Sequence, residues 1–245
     1  FLPADLQPQL AACGISQSIF VQTQHNLEEA RWVLSMRAEW DFLAGVVGWV
    51  DLRSPECESQ LEMFADQEGF LGIRHVVQDE PDDEFIIQPE TLRGLKVLER
   101  YGVPYDLLFY DRHLRHAATV ADAVPNLPLV LDHLSKPRIK DGAIDEWARE
   151  LRQAAQRPNL YAKLSGLITE ADWKSWSVDH LRPYVEVALE AFGPQRLMYG
   201  SDWPVCELAG SYAQVFEAAK TLIADLSPEE QAKIWSGTAQ SFYNL

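Results

Sequence analysis

The sequence predicts an α/β fold: a distorted (β/α)8 barrel of the TIM type, with the first strand missing from the sequence. Short β-rich runs alternate with amphipathic helical stretches along all 245 residues, the pattern of a parallel sheet wrapped by helices. The links from helix to strand are terse and those from strand to helix are long, so one face has been elaborated. The length suits one barrel domain, since such barrels take about 250 residues. A doubly wound open sheet, which needs no eighth strand, is the alternative architecture.

The chain opens on a helical stretch, 4–13, that ends at Gly14 with no strand ahead of it. Strand candidates follow at 17–23, 44–52, 71–77, 104–110, 128–134, 160–166 and 196–202. That is one short of the eight needed for closure, so a first strand is expected to lie outside this sequence. Ile144, Trp147, Ala148, Leu151 and Ala155 recur at helical spacing. Ser227-Pro228-Glu229-Glu230 marks a helix start, with a capping serine, proline at the first position and glutamate at the third. The terse links are Gly102-Val103-Pro104, Pro125-Asn126-Leu127-Pro128, Arg157-Pro158-Asn159 and Gly193-Pro194-Gln195. The long ones, 78–89, 135–142 and 167–178, carry polar and aromatic residues, and in a barrel that face holds the active site.

Composition narrows the partners. With 21 Lys and Arg against 37 Asp and Glu, the formal charge is −16, and no basic run offsets it. Attraction to nucleic acid or to an anionic membrane is not expected. No apolar run reaches about 18 residues, so no membrane span is expected, nor is a secretory leader. Cys13, Cys57 and Cys206 are odd in number and share no Cys-x-x-Cys spacing, which implies neither a disulfide framework nor a thiolate zinc site. A cytoplasmic location is the expectation.

The chemistry sits at the predicted strand ends. Arg196-Leu197-Met198-Tyr199-Gly200-Ser201-Asp202-Trp203-Pro204 stops a strand on glycine and places Asp202 at the sheet rim, where a barrel keeps its reacting groups. An aspartate there also serves as a helix N-cap, and Pro204 with no helical pattern behind it weakens that reading. Pro128 to Pro137 is an apolar strand ending in Asp132-His133, then a loop carrying Lys136. A histidine on a rim can ligate a metal or move a proton, or it can simply hydrogen-bond into the rim. Arg74 and His75 end a third strand; adjacent residues point to opposite faces, so one of them is structural. Lys163 and Ser165 share a side of a fourth, where the lysine can anchor an anion or form a salt bridge within the barrel. Trp173 and Trp176 can wall a ligand or anchor their loop. Asp79 to Glu84 is acidic but lacks the alternating ligands and glycine of a calcium loop, so a solvated loop is expected. No phosphate cradle or Gly-x-Ser-x-Gly elbow occurs.

Taken in order, these segments resemble the amidohydrolase-2 branch of the amidohydrolase superfamily, and within it the sugar-acid and pyrone-dicarboxylate lactonases. The resemblance runs through Gly72-Ile73-Arg74-His75-Val76-Val77-Gln78-Asp79-Glu80-Pro81, Val130-Leu131-Asp132-His133-Leu134-Ser135-Lys136-Pro137, Lys163-Leu164-Ser165-Gly166-Leu167, Tyr199-Gly200-Ser201-Asp202-Trp203-Pro204-Val205-Cys206 and the closing Gly237-Thr238-Ala239 with Phe242-Tyr243. It implies a hydrolase that opens a lactone ring, with Asp202 as the water-activating aspartate of the last strand and His133 as the histidine at the sixth strand's end. Arg74, His75, Lys136, Lys163 and Trp203 are the candidate substrate contacts.

Members of this family carry a His-x-His pair on the first strand, upstream of a Phe-Leu-Pro segment like Phe1-Leu2-Pro3, and no His-x-His is present here. One divalent ion, zinc or similar, is the expected cofactor, held by His133 and Asp202; activity without metal is the other possibility. The acidic mouth loop favours a neutral sugar lactone over a dicarboxylate. Two further readings stand beside this one: a metal-dependent decarboxylase of an unsaturated or aromatic acid, and a binding barrel without catalysis.

Overall fold

The computed structural model describes residues 1–245. Seven parallel strands, β1 (Ser18–Val21), β2 (Leu43–Gly48), β3 (Phe70–His75), β4 (Tyr105–Leu107), β5 (Leu129–Leu131), β6 (Leu160–Leu164) and β7 (Leu197–Tyr199), make one sheet in sequence order. The helices are α1 (Pro3–Cys13), α2 (Glu28–Met36), α3 (Cys57–Glu62), α4 (Pro89–Tyr101), α5 (Ala117–Ala123), α6 (Asp145–Ala154), α7 (Leu167–Glu170), α8 (Val178–Phe192), α9 (Tyr212–Leu222), α10 (Pro228–Ala232) and α11 (Thr238–Tyr243). A doubly wound sheet reverses its strand order partway; this one never does, so it curls as a barrel wall. No helix is long and apolar enough to cross a membrane.

Strand alternation divides the core in two. Leu129, Leu131, Leu160, Ala162, Leu164 and Leu197 face the helices in the main apolar cluster. Val47, Leu71, Val130 and Met198 belong to a second cluster inside the sheet's curl, closed by Phe242 and Tyr243 of α11. Asp106, Asp132, Lys163 and Arg74 share this inward phase, which decides the chemistry described below.

β1 and β7 are the two edges of the sheet and do not pair, so the ring is open where the expected first strand would lie. Helix α1 packs by this opening. Leu10 shares a buried cluster with Phe42, just ahead of β2, and Tyr212, the first residue of α9. All seven predicted strands are present but shorter than read, because in each the pairing stops before the predicted C-terminal end. Helix α10 starts as expected: Ser227 Oγ accepts from the Glu230 N–H at 3.3 Å, and Glu230 Oε2 accepts from the Ser227 N–H at 2.9 Å.

Candidate active site

The rim begins with an unusual turn after β5. His133, Leu134, Ser135 and Lys136 all have positive φ, at 54°, 50°, 58° and 50°. None is glycine, and left-handed backbone costs L-residues about 1–2 kcal/mol each, so the surroundings must impose this turn. The Lys136 N–H closes it onto the His133 carbonyl at 2.8 Å, and the Trp147 indole N–H donates to the Leu134 carbonyl at 2.7 Å. Across the rim, Gly166 makes room for the imidazole: a Cβ there would lie 2.7 Å from His133 Cγ.

His133 and Asp202 meet on this rim, with Nε2 and Oδ1 3.5 Å apart and side chains only 11% and 13% exposed. Asp202 lies three residues beyond β7 at φ 56°, and its carboxylate accepts no backbone N–H; the turn Val205–Leu208 has no side-chain cap. Its carboxylate faces His133 and caps nothing. On the other side of the ring, His133 Nδ1 lies 2.8 Å from Ser165 Oγ. When Nδ1–H donates to that hydroxyl, the Nε2 lone pair turns to Asp202 and two acceptors converge. A proton or a cation between them satisfies both. Burial lowers the His133 pKa, opposed by Asp202 and Asp132.

Lys136 leaves the left-handed turn half-buried, with its ammonium 5.3 Å from the Tyr110 ring centroid and no carboxylate partner. The half-buried Trp203 packs edge-on to Phe1 at 5.2 Å and donates its indole N–H to Glu207 at 2.8 Å.

The other predicted contacts are held by the protein itself. Arg74 donates to Asp132 Oδ2 at 2.8 Å, to Gln22 Oε1 at 3.0 Å and to the Gln22 carbonyl. Lys163 lies 2.5 Å from Asp106 Oδ2 and 2.7 Å from Asp132 Oδ1, the second contact off the hydrogen-bond axis. Burial works against the Lys163 ammonium, but Asp106 and Asp132 outweigh it and hold its pKa well above the usual lysine value. Burial also works against Asp132, whose pKa Lys163 and Arg74 nonetheless hold well below the usual carboxylate range. Burial pushes Asp106 up to about 6, against the pull of Lys163.

His75 points the other way, as strand alternation requires. Its Nδ1 accepts from the Trp49 indole N–H at 3.0 Å, so Nε2 carries the proton and donates to Glu80 at 2.6 Å. His25, His75 and Glu80 bring their ligand atoms within 4.8 Å of one another. Yet a metal on His75 Nε2 would leave Nδ1–H facing the indole N–H, and His25 Nε2 already accepts from the Val76 N–H at 3.1 Å. That cluster does not fit a metal. The converging lone pairs of His133 and Asp202 do, as two of the four ligands a zinc site needs.

The acidic loop expected to be solvated is partly engaged. Glu80 holds His75, and Asp83 holds Arg112 at 2.9 Å and His113 at 3.0 Å. Asp106 and Gln22 were not singled out from sequence, where the period-two inward phase of Asp106 was the available signal; Tyr243 entered only with the closing segment of the family resemblance.

A strand-ordered barrel wall carrying histidine and aspartate on its C-terminal rim is the frame on which barrel enzymes build their sites. The amidohydrolase family model matches residues 1–245, and the chain belongs to that family. It is similar to the L-fucono-1,5-lactonase of Burkholderia ambifaria, 34% identical over 249 residues covering 100% of this chain and 86% of that protein. It is also similar to the L-fucono-1,5-lactonase of Burkholderia multivorans, 36% identical over 256 residues with the same coverage, 100% and 86%. A crystal structure of an amidohydrolase from Burkholderia multivorans with bound zinc superposes with a TM-score of 0.95 at 36% identity, over 100% of this chain and 89% of that one.

Proposed function

We propose that this protein hydrolyses a sugar-acid lactone, with Asp202 as the base that activates water. The observation that carries this is the uncapped Asp202 carboxylate facing the His133 imidazole at 3.5 Å, in a chain that aligns along its whole length with two L-fucono-1,5-lactonases.

Asp202 takes a proton from water as the oxygen adds to the lactone carbonyl. Lys136, the cation of the rim without a carboxylate partner, faces the charge that develops on the carbonyl oxygen. Collapse of the tetrahedral adduct breaks the bond to the ring oxygen, and the proton held by Asp202 passes to that oxygen directly or through His133 Nε2. The product is an open-chain hydroxy acid. Trp203 gives the sugar ring an apolar wall. In this reading Arg74 and Lys163 do not touch substrate, because protein carboxylates already hold them. His75 anchors the rim.

A divalent ion fits the same pair: His133 Nε2 and Asp202 would hold it, and it would supply a Lewis acid for the carbonyl. Cytoplasmic residence and a place in carbohydrate metabolism belong to this reading, and the three free cysteines agree with a reducing compartment.

The test is acid release from a panel of galactono-, fucono- and rhamnono-type lactones, run with chelator and with added zinc. Hydrolysis of at least one is expected. Acid from none, with CO₂ released from an unsaturated acid, would move the assignment to a decarboxylase.

A further inference from the structure

Four charges, three of them buried and Arg74 half-buried, alternate across the barrel interior: Arg74 on Asp132 at 2.8 Å, Asp132 on Lys163 at 2.7 Å, Lys163 on Asp106 at 2.5 Å. The row ends on a neutral group, the Tyr243 hydroxyl, which lies 3.0 and 2.9 Å from the two Asp106 oxygens. We infer that Tyr243, on the C-terminal helix, is a positioning residue for His133, acting through Asp106, Lys163 and Asp132.

Two cations face two carboxylates, so the row is balanced and each member is fixed by the next. Asp132 is gripped by Arg74 on one oxygen and Lys163 on the other, and the next residue is His133, where the left-handed run begins. Fixing that side chain fixes the peptide from which the strained turn starts. Lys163 stands midway between Asp106 and Asp132, so its place depends on how Asp106 is oriented. Tyr243 sets that orientation. Phe242, its neighbour in the same helix, fills the same interior with carbon alone, stacking edge-on to Tyr161 at 5.0 Å. The pair thus separates plugging the barrel from orienting the row.

This inference rests on the assignment of His133 to the lactone-opening site, and the test has a readout that does not. Tyr243→Phe keeps the ring and removes only the hydroxyl. Its kcat is expected to fall about tenfold to a hundredfold with KM nearly unchanged, the mark of a displaced group in a retained pocket. Phe242→Leu is the control: a lower unfolding temperature with kcat near that of wild type. Ring ¹⁵N signals of His133, assigned by their loss in His133→Gln, should move in Tyr243→Phe and stay in Phe242→Leu.

If wild type opens no lactone but those signals move, the functional reading fails and the positioning role stands. Unchanged kcat and unchanged His133 signals in folded Tyr243→Phe would overturn the inference. So would equal losses of kcat in both variants that track their stability. Should Tyr243→Phe not fold, Asp106→Asn keeps the side-chain shape, leaves Lys163 its Asp132 partner and is read the same way.

Discussion

Asp202 combines a left-handed backbone at φ 56° with a carboxylate that serves no turn and no cap, facing the imidazole of His133. Asparagine tolerates that backbone as well as aspartate does, and no capping bond is lost on substitution. Asp202→Asn should therefore melt within a few degrees of wild type while turnover falls about 10²–10⁴-fold, the share a general base supplies. Lactone hydrolysis and thermal unfolding measured side by side decide it; near-normal turnover in the stable variant removes Asp202 from the mechanism. At this scale the sequence was informative because strand-end position alone brings His133 and Asp202 to one rim. It offered a salt bridge within the barrel for Lys163, as found, but not the partners of Arg74 and Lys163, which lie 58 and 57 residues away in Asp132 and Asp106, beyond any local pattern.

The strand after α5 shows what local pattern can and cannot carry. Residues 128–134 read as one strand because Leu129, Val130, Leu131 and Leu134 are apolar, yet pairing stops after Leu131. Leu134 is fully buried from within the left-handed turn, so its hydrophobicity is satisfied without the sheet. The β-rich runs located these seven strands; they could not show that β5 ends at Leu131, since that depends on the partners of Asp132 and on Gly166 leaving space for His133. Helix α1 makes the converse case. Its only large apolar residues are Leu6 and Leu10, and Leu10 is 2% exposed in the cluster beside the open edge of the sheet. Leu10→Ala should cost about 2–5 kcal/mol, as buried leucine truncations do. Urea unfolding checks this, and a loss under about 1 kcal/mol would mean that the site collapses around the smaller residue or that α1 is not seated there.

Taken whole, the molecule disfavours the charged form at five of its six histidines. Burial is the leading cause of a lowered pKa at His25, His75, His113, His116 and His133. In the unfolded chain these groups titrate near about 6.5, so just below that pH the unfolded state binds more protons than the folded one. Stability from these groups is therefore complete above about pH 6.5 and is lost as the pH falls through their lower folded values. His25 lies exposed at the rim; His75, His113, His116 and His133 are buried. Two effects run the other way. Asp106, raised to about 6, and Glu150 and Glu170, also raised by burial, take up protons more readily when folded, and acid relieves the repulsion of a chain carrying −16. The first effect is three groups against five histidines, and the second is weakened by salt, which shortens the Debye length to about 8 Å at 0.15 M. In 0.15 M salt the unfolding temperature is thus expected to fall between pH 7 and pH 5.5, ahead of general carboxylate protonation. A curve that is flat or rising over that interval would mean that carboxylates protonated more readily in the fold, together with the relief of charge repulsion, outweigh the buried histidines, and the prediction fails.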